Sequence, residues 1–214
     1  MKISYAICVC NESKDLYSLI SFLKKVKDSK DEINILVDTA HVTNQVKQVL
    51  DFFKNDIVIN ERDFDGKFAT HRNYHFSKCD GEYIFYIDPD EMPQEMLIKN
   101  LKNIIKETEA DLICVPRINI QPGATQEWLN KCSYQVNEMG WINWPDTQTR
   151  IFKKGLTMTS ELHERFEGAK KIIQVQTNPN LALWHIKSVE KDTNRWEDGK
   201  YVLPEDDNLY DKLM

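Results

Sequence analysis

Apolar residues come in short runs along this chain, and their period alternates between that of a strand and that of a helix. Ile3-Ser4-Tyr5-Ala6-Ile7-Cys8-Val9-Cys10 predicts a first strand, leading to a turn at Asn11-Glu12-Ser13 that can cap a helix. Leu16, Leu19, Ile20, Leu23 and Val26 recur at helical spacing, which predicts an amphipathic helix over residues 14–27 with a solvated, lysine-rich outer face. Ile33 to Val37 is a second buried strand ending in Asp38. Val42, Val46, Val49, Leu50 and Phe53 mark a second helix, and Ile57-Val58-Ile59 a short third strand. A β-α-β-α-β series implies parallel strands joined by right-handed crossovers.

After a loop at Asp63-Phe64-Asp65-Gly66-Lys67, a helix from about Phe68 to Lys78 leads to Tyr83-Ile84-Phe85-Tyr86-Ile87. Five aromatic or β-branched residues in a row suit a strand covered on both faces. Three carboxylates come directly after it, Asp88, Asp90 and Glu91. In extended backbone Asp88 and Asp90 would leave the same side of the strand, with Pro89 denying the ladder a bond between them. Two hard oxygen ligands there suit Mg²⁺ or Mn²⁺ holding a phosphate ester; a plain acidic turn is the alternative.

A helix from about Glu95 to Glu107 precedes Leu112-Ile113-Cys114-Val115-Pro116 with Ile118, whose Pro116 and Arg117 suggest a strand near a sheet edge. Residues 121–147 break the pattern: they are polar, and Trp128, Tyr134, Trp141 and Trp144 argue against disorder. Thr149 to Phe152 and Leu156 to Met158 flank Lys153-Lys154-Gly155 as a hairpin. Leu162-His163-Glu164-Arg165-Phe166 comes next. Late strands are expected at Ile172–Val175 and Leu181–Ile186, then a helix over about 189–196 and an acidic tail. The fold class is α/β, with acids Glu12, Asp38, Asp88 and Asp90 at strand carboxyl ends, the edge where open α/β sheets bind ligands.

Composition narrows the partners. The chain has 214 residues, 41% hydrophobic and 29% charged, an ordinary globular balance, and its net charge of −6 argues against a nucleic-acid surface. Five cysteines, with no CxxC spacing and with Cys8 and Cys10 on one strand face, point to reduced thiols and a cytoplasmic setting. No signal peptide is read at the N-terminus, and no apolar run approaches the ~20 residues of a membrane span.

Several stretches are similar to family-two glycosyltransferases. Cys10-Asn11-Glu12 resembles the family's opening "YNE", and Val37-Asp38 its second motif. Lys67-Phe68-Ala69-Thr70-His71-Arg72-Asn73 resembles its "ARN" helix, and Gly81 through Glu91 its "GdwilflDaDE". Pro145 to Phe152 with His163-Glu164 resembles the "D-x-Q-x-R-l-f … HE" of one branch. The matches run in family order from residue 3 to about 187. Within the family the chain resembles the small soluble transferase domains of large algal viruses, which build capsid glycans in the host cytoplasm.

The resemblance implies a single GT-A domain over 1–214: a nucleotide- and metal-binding half at 1–92, an acceptor-side half at 93–200, and a tail or linker at 201–214 that could lead to further domains of a longer chain. It implies transfer from a UDP-sugar, of glucose or rhamnose type, to a glycan or glycoprotein acceptor, with inversion. Asp90 is the first metal ligand; Asp88 binds the metal through water or holds the ribose; His185 completes the shell, which favours Mn²⁺ over Mg²⁺. Hydrogen-bonded strand histidine is the plainer role for His185. Asp38 would accept hydrogen bonds from base or ribose, and Glu12 is a weaker contact or a helix cap. Lys67 aligns with a basic nucleotide contact. Arg72 supports the site or forms a structural ion pair. Cys10 stands where the family has an aromatic residue, so base stacking is weaker or comes from elsewhere.

For the general base on the acceptor hydroxyl, Glu164 is favoured, with Asp146 as second candidate or acceptor-orienting group. An ion pair of Glu164 with Arg150 or Arg165 is the structural alternative. Trp128, Trp141 and Trp144 are acceptor-site candidates or loop anchors. Two other functions fit parts of the pattern. A nucleotide-sugar pyrophosphorylase would need a glycine-rich phosphate loop where Asn11-Glu12-Ser13 stands, and a non-catalytic nucleotide-sugar-binding module would keep the fold without the base.

Overall fold

The computed structural model describes residues 1–159 and 165–189, together with the backbone of 196–197 and 200–201. The strands are β1 (Ile3–Val9), β2 (Glu32–Asp38), β3 (Val58–Arg62), β4 (Tyr83–Ile87), β5 (Glu91–Pro93), β6 (Leu112–Ile120), β7 (Ile142–Lys153), β8 (Thr157–Thr159), β9 (Arg165–Glu167), β10 (Ile172–Gln174), β11 (Leu183–Ile186), β12 (Trp196–Glu197) and β13 (Lys200–Tyr201). The helices are α1 (Ser13–Val26), α2 (Asn44–Phe53), α3 (Phe68–Ser77), α4 (Glu95–Thr108) and α5 (Gln126–Lys131).

The main sheet runs β3-β2-β1-β4-β7-β6-β11-β5, with β10 also on β6. The first four strands are parallel, as the β-α-β series requires. Alternation along β1 sorts the layers. Tyr5, Ile7 and Val9 pack with Leu16, Leu19, Leu50, Leu97 and Leu101, so α1, α2 and α4 cover one face. Ala6, Ile84 and Tyr86 pack with Ala69, Phe76 and Phe152, so α3 covers the other. Both faces of β4 are thereby buried, and all five of its residues are.

Four sequence expectations are corrected. β6 is an interior strand, between β7 on one side and β10 and β11 on the other. Its pairing with β10 ends at Cys114 and that with β11 begins at Arg117, so Pro116 falls at the changeover, where its missing N–H costs no ladder bond. The hairpin across Lys153-Lys154-Gly155 does not form: β7 is held by β4 and β6, while β8 pairs with β9. The stretch 121–147 holds α5 and the first half of β7. Asp88-Pro89-Asp90 is a turn, not extended strand, closed by the Glu91 amide donating to the Asp88 carbonyl at 2.9 Å. The helix expected over 189–196 falls mainly outside the described residues, and its last member, Trp196, belongs to β12.

This turn has a consequence for shape. β4 and β5 are joined by three residues, yet along the sheet β5 is four strands away from β4. A flat sheet would separate them by about 19 Å, while four residue steps reach about 14 Å at most. The sheet therefore curls so that β5 and β11 return beside the carboxyl end of β4.

Candidate functional site

The carboxyl ends of β1, β2 and β4 bring Cys10, Glu12, Asp38, Asp88 and Asp90 to one edge of the parallel strands, and the curl adds β5 and β11. At the first of these ends the Glu12 carboxylate folds back over the turn and accepts the amides of Cys10 and Asn11, each at 3.1 Å. It makes no side-chain cap on α1. Burial raises its pKa against those amides, and the charge of Asp90 adds to the rise. Burial likewise pushes up the Cys10 thiol.

Asp38 is buried and heavily used. Its Oδ1 accepts the amides of Ala40 at 3.1 Å and Phe64 at 3.0 Å, and its Oδ2 lies 2.6 Å from His41 Nδ1. Only Oδ2 faces a group that a ligand could displace, an imidazole half exposed at the surface. Next to it Phe64 meets the edge of His71 at 5.3 Å. Nothing in its residue type singles out His71, yet it is buried with no hydrogen-bond partner at Nδ1. Burial pulls its pKa down. Lys67 is exposed at the start of α3.

Asp88 is gripped from three sides. Tyr86 donates its hydroxyl to Oδ1, Arg72 lies 3.6 Å from the same oxygen, and Arg150 donates to Oδ2 at 2.7 Å. Burial alone would raise this carboxyl; Arg150 and Arg72 outweigh it and hold the pKa at about 2. Arg72 and Arg150 also lie over the Tyr86 ring, at 4.6 and 5.0 Å from its centroid. Arg72 thus takes the ion-pair role, at the site itself.

Glu91, in sequence only the tail of the acidic stretch, is fully buried. It accepts Arg150 at 2.6 Å and Arg117 at 3.0 Å on one oxygen, and the Asp88 amide at 3.2 Å on the other. Arg117 continues to Asp146 through Nε at 2.9 Å and Nη2 at 2.7 Å. Asn119 and Gln148 complete the shell of Asp146 at 2.8 and 2.7 Å. Burial raises the Asp146 carboxyl, but Arg117 and these donors bring it below its ordinary value. An alternating chain Asp88–Arg150–Glu91–Arg117–Asp146 therefore joins the end of β4 to β7. The sequence signal for it is the pair of arginines on strands, which burial requires to be matched by acids.

His185 lies opposite Glu91 on β5 and beside Asn119 on β6. Its Nδ1 is 2.8 Å from Asn119 Oδ1, and its Nε2 is 3.5 Å from Asp90 Oδ2. Among the described residues no group of three or more His, Cys, Asp or Glu side chains is placed to hold a metal by itself. The pair Asp90 and His185 does suit a cation shared with a phosphate. Two ligands at right angles about 2.1 Å from one ion lie about 3 Å apart, and such ions commonly take one or two protein ligands plus substrate oxygens. Asp88, with both oxygens engaged by protein donors, suits an outer position.

Trp141 packs edge-on against Trp144 at 5.1 Å, and Trp128 against Tyr134 at 5.5 Å. All three tryptophans are half-buried, with Trp144 two residues from Asp146. His163 and Glu164 lie outside the described residues. Arg150, the alternative partner for Glu164, is committed to Asp88 and Glu91.

The family model described as "Glycosyl transferase family 2" matches residues 4–168. The poly(ribitol-phosphate) beta-N-acetylglucosaminyltransferase TarS of Staphylococcus aureus strain Mu50 is 20% identical over 168 residues, covering 76% of this chain and 29% of TarS. The strain MW2 protein is 22% identical over the same shares. The crystal structure of S. aureus TarS superposes with TM-score 0.61 at 17% identity, covering 91% of this chain and 38% of that one. The complex of TarS 1–349 with UDP-GlcNAc gives TM-score 0.59 at 15% identity, covering 87% and 59%. The present chain thus spans under a third of the curated relatives' length. Its helix-flanked, mostly parallel sheet matches the GT-A fold of TarS. These relatives are bacterial, and the expected viral affinity gains no support from them. Among the described residues no helix is long and apolar enough to cross a membrane.

Proposed function

The chain belongs to glycosyl transferase family 2, and from that premise we propose that it moves a sugar from a UDP-sugar, of glucose or rhamnose type, to a glycan or glycoprotein acceptor with inversion, in the cytoplasm. The observation that carries this reading is the gathering of Asp38, Asp88, Asp90 and His185 at one sheet edge, with Asp90 and His185 3.5 Å apart. Family membership sets aside the nucleotidyltransferase alternative. The structural neighbour TarS has been crystallised in complex with UDP-GlcNAc and with UDP, which supports a uridine nucleotide here.

Asp38 accepts from the base or ribose, its Oδ2 exchanging His41 for the ligand. Cys10, Glu12 and Lys67 border the nucleotide, and Arg72 faces the phosphates from α3. Asp90 and His185 would hold Mn²⁺, or Mg²⁺, with Asp88 behind them. When bound, the cation stabilises the charge of the departing diphosphate. Trp128, Trp141 and Trp144 offer faces to acceptor sugar rings. Asp146, with Arg117, Asn119 and Gln148 already donating to it, orients the acceptor. Glu164 is the general base that takes the proton of the attacking hydroxyl.

A thermal-shift panel tests the reading. UDP, GDP, CMP and their sugars are each added with Mn²⁺, Mg²⁺ or chelator. Stabilisation is expected for uridine nucleotides with the cation, about 2.7 kcal/mol at a hundred times Kd. An equal shift in chelator, or a shift with GDP or CMP alone, overturns it.

A further inference from the structure

The side chain of Asn119 lies between two residues assigned to opposite sides of the reaction. Its Oδ1 is 2.8 Å from His185 Nδ1, and its Nδ2 donates to Asp146 Oδ2 at 2.8 Å. Asn119 and His185 are registered neighbours on β6 and β11, so the contact is set by the ladder. An amide can be turned over and a neutral imidazole has two forms, which leaves four assignments of donor and acceptor.

The surroundings of Asp146 leave one of the four. Arg117 places two guanidinium nitrogens on its Oδ2, and Gln148 donates to its Oδ1. A carboxylate so surrounded is ionised and only accepts. Asn119 must then turn its NH₂ to Asp146 and its carbonyl oxygen to His185. That oxygen also only accepts, so the proton of neutral His185 sits on Nδ1. The Nε2 lone pair is left facing Asp90 Oδ2, 3.5 Å away. The opposite amide orientation would set two acceptor oxygens against each other at 2.8 Å.

We infer that Asn119 is a positioning residue that holds neutral His185 in its Nδ1–H form, and that Asp146 fixes which way the Asn119 amide faces. The consequence for a cation rests on the reading of His185 as its ligand; the tautomer does not. An acceptor-side carboxylate thus prepares a donor-side ligand through one intervening amide, as outer partners of ligating histidines do.

The test is long-range proton–nitrogen NMR of the full chain with ¹⁵N-labelled histidine, without metal, at about pH 8, above the ordinary imidazole range. His185 is identified by the signal lost in His185→Gln. A protonated Nδ1 and bare Nε2 are expected; a protonated Nε2 overturns the inference. In Asn119→Ala both forms should appear, and persistence of Nδ1–H alone overturns it. Should that variant fail to fold, Asp146→Ala removes the acceptor that orients the amide and leaves Arg117 donors beside it, so Nε2–H should appear, and persistence of Nδ1–H alone overturns the inference. With UDP present, Mn²⁺ affinity of Asn119→Ala should fall about 10–100-fold. Nδ1–H in the wild type with His185 signals untouched by Mn²⁺ and UDP would uphold the tautomer and remove His185 from the cation shell.

Discussion

Arg150 sets its Nη2 2.7 Å from Asp88 Oδ2, so a residue of β7 fixes the turn that ends β4. The same nitrogen lies 2.6 Å from Glu91, which has no solvent exposure. Arg150→Met would leave that buried carboxylate with Arg117 as its remaining guanidinium partner. The expected loss is about 3–5 kcal/mol in urea unfolding, the cost of breaking a buried ion pair on one side. Arg150→Lys should recover part of the loss, because one nitrogen makes both contacts and an ammonium keeps the charge. The Asp88 pKa should rise from about 2 towards the ordinary carboxylate range in Arg150→Met.

His75 supplies a pH dependence remote from the site. It is fully buried on α3; its Nε2 faces the Asn34 carbonyl at 3.2 Å and the Asn34 side-chain oxygen at 3.1 Å, and its Nδ1 faces the Cys8 thiol at 3.4 Å. Burial lowers its pKa from 6.5 to about 3. Between those values the unfolded chain binds a proton that the folded chain does not, so stability falls as pH drops through this window. The slope is up to about 1.4 kcal/mol per pH unit. Denaturant midpoints from pH 7 to 4 should show this fall in the wild type and a flatter profile in His75→Asn.

Gly81 should not tolerate a side chain. A Cβ there would lie 2.5 Å from the Ser4 amide nitrogen, 2.7 Å from Ser4 Oγ and 2.7 Å from the Tyr83 carbonyl, two of them backbone atoms. Gly81 also donates its amide to Ser4 Oγ at 2.7 Å. Gly81→Ala is expected to cost about 1–3 kcal/mol through overpacking, read as a lowered thermal midpoint.

If Glu164 is the base, Glu164→Gln should lower kcat about 10²–10⁴-fold while UDP still protects the protein with Mn²⁺. Single-turnover transfer beside a binding titration separates the two effects. Transfer at the wild-type rate would move the role elsewhere, and loss of binding would place Glu164 on the donor instead.

The parallel half was legible because its strands start as short apolar runs bounded by turn residues, and β1, β2 and β4 are buried on both faces. The carboxyl-end acids followed from that placement. Illegible parts depended on neighbours distant in sequence. Pro116 reads as an edge residue unless one knows that β6 changes partners beside it. β7 hid in Asn143 to Thr149, where Asp146 and Gln148 turn to the Arg117 network instead of solvent. Glu91 and Asn119 carry ordinary surface residue types; what distinguishes them is the curl of the sheet, which no local pattern encodes.

The connection between β4 and β5 is a short turn closed by the Glu91 amide on the Asp88 carbonyl. Surface loops usually absorb insertions, but this one spans a curled sheet with three residues while β5 is pinned opposite His185. One added residue would break this turn or slip the register of β5. With a slip, Met92 would turn to the side where Glu91 now meets two guanidinium groups, and the carboxylate would swing outward. The distance from strand end to strand end is thus as fixed a part of this protein as the identity of its aspartates.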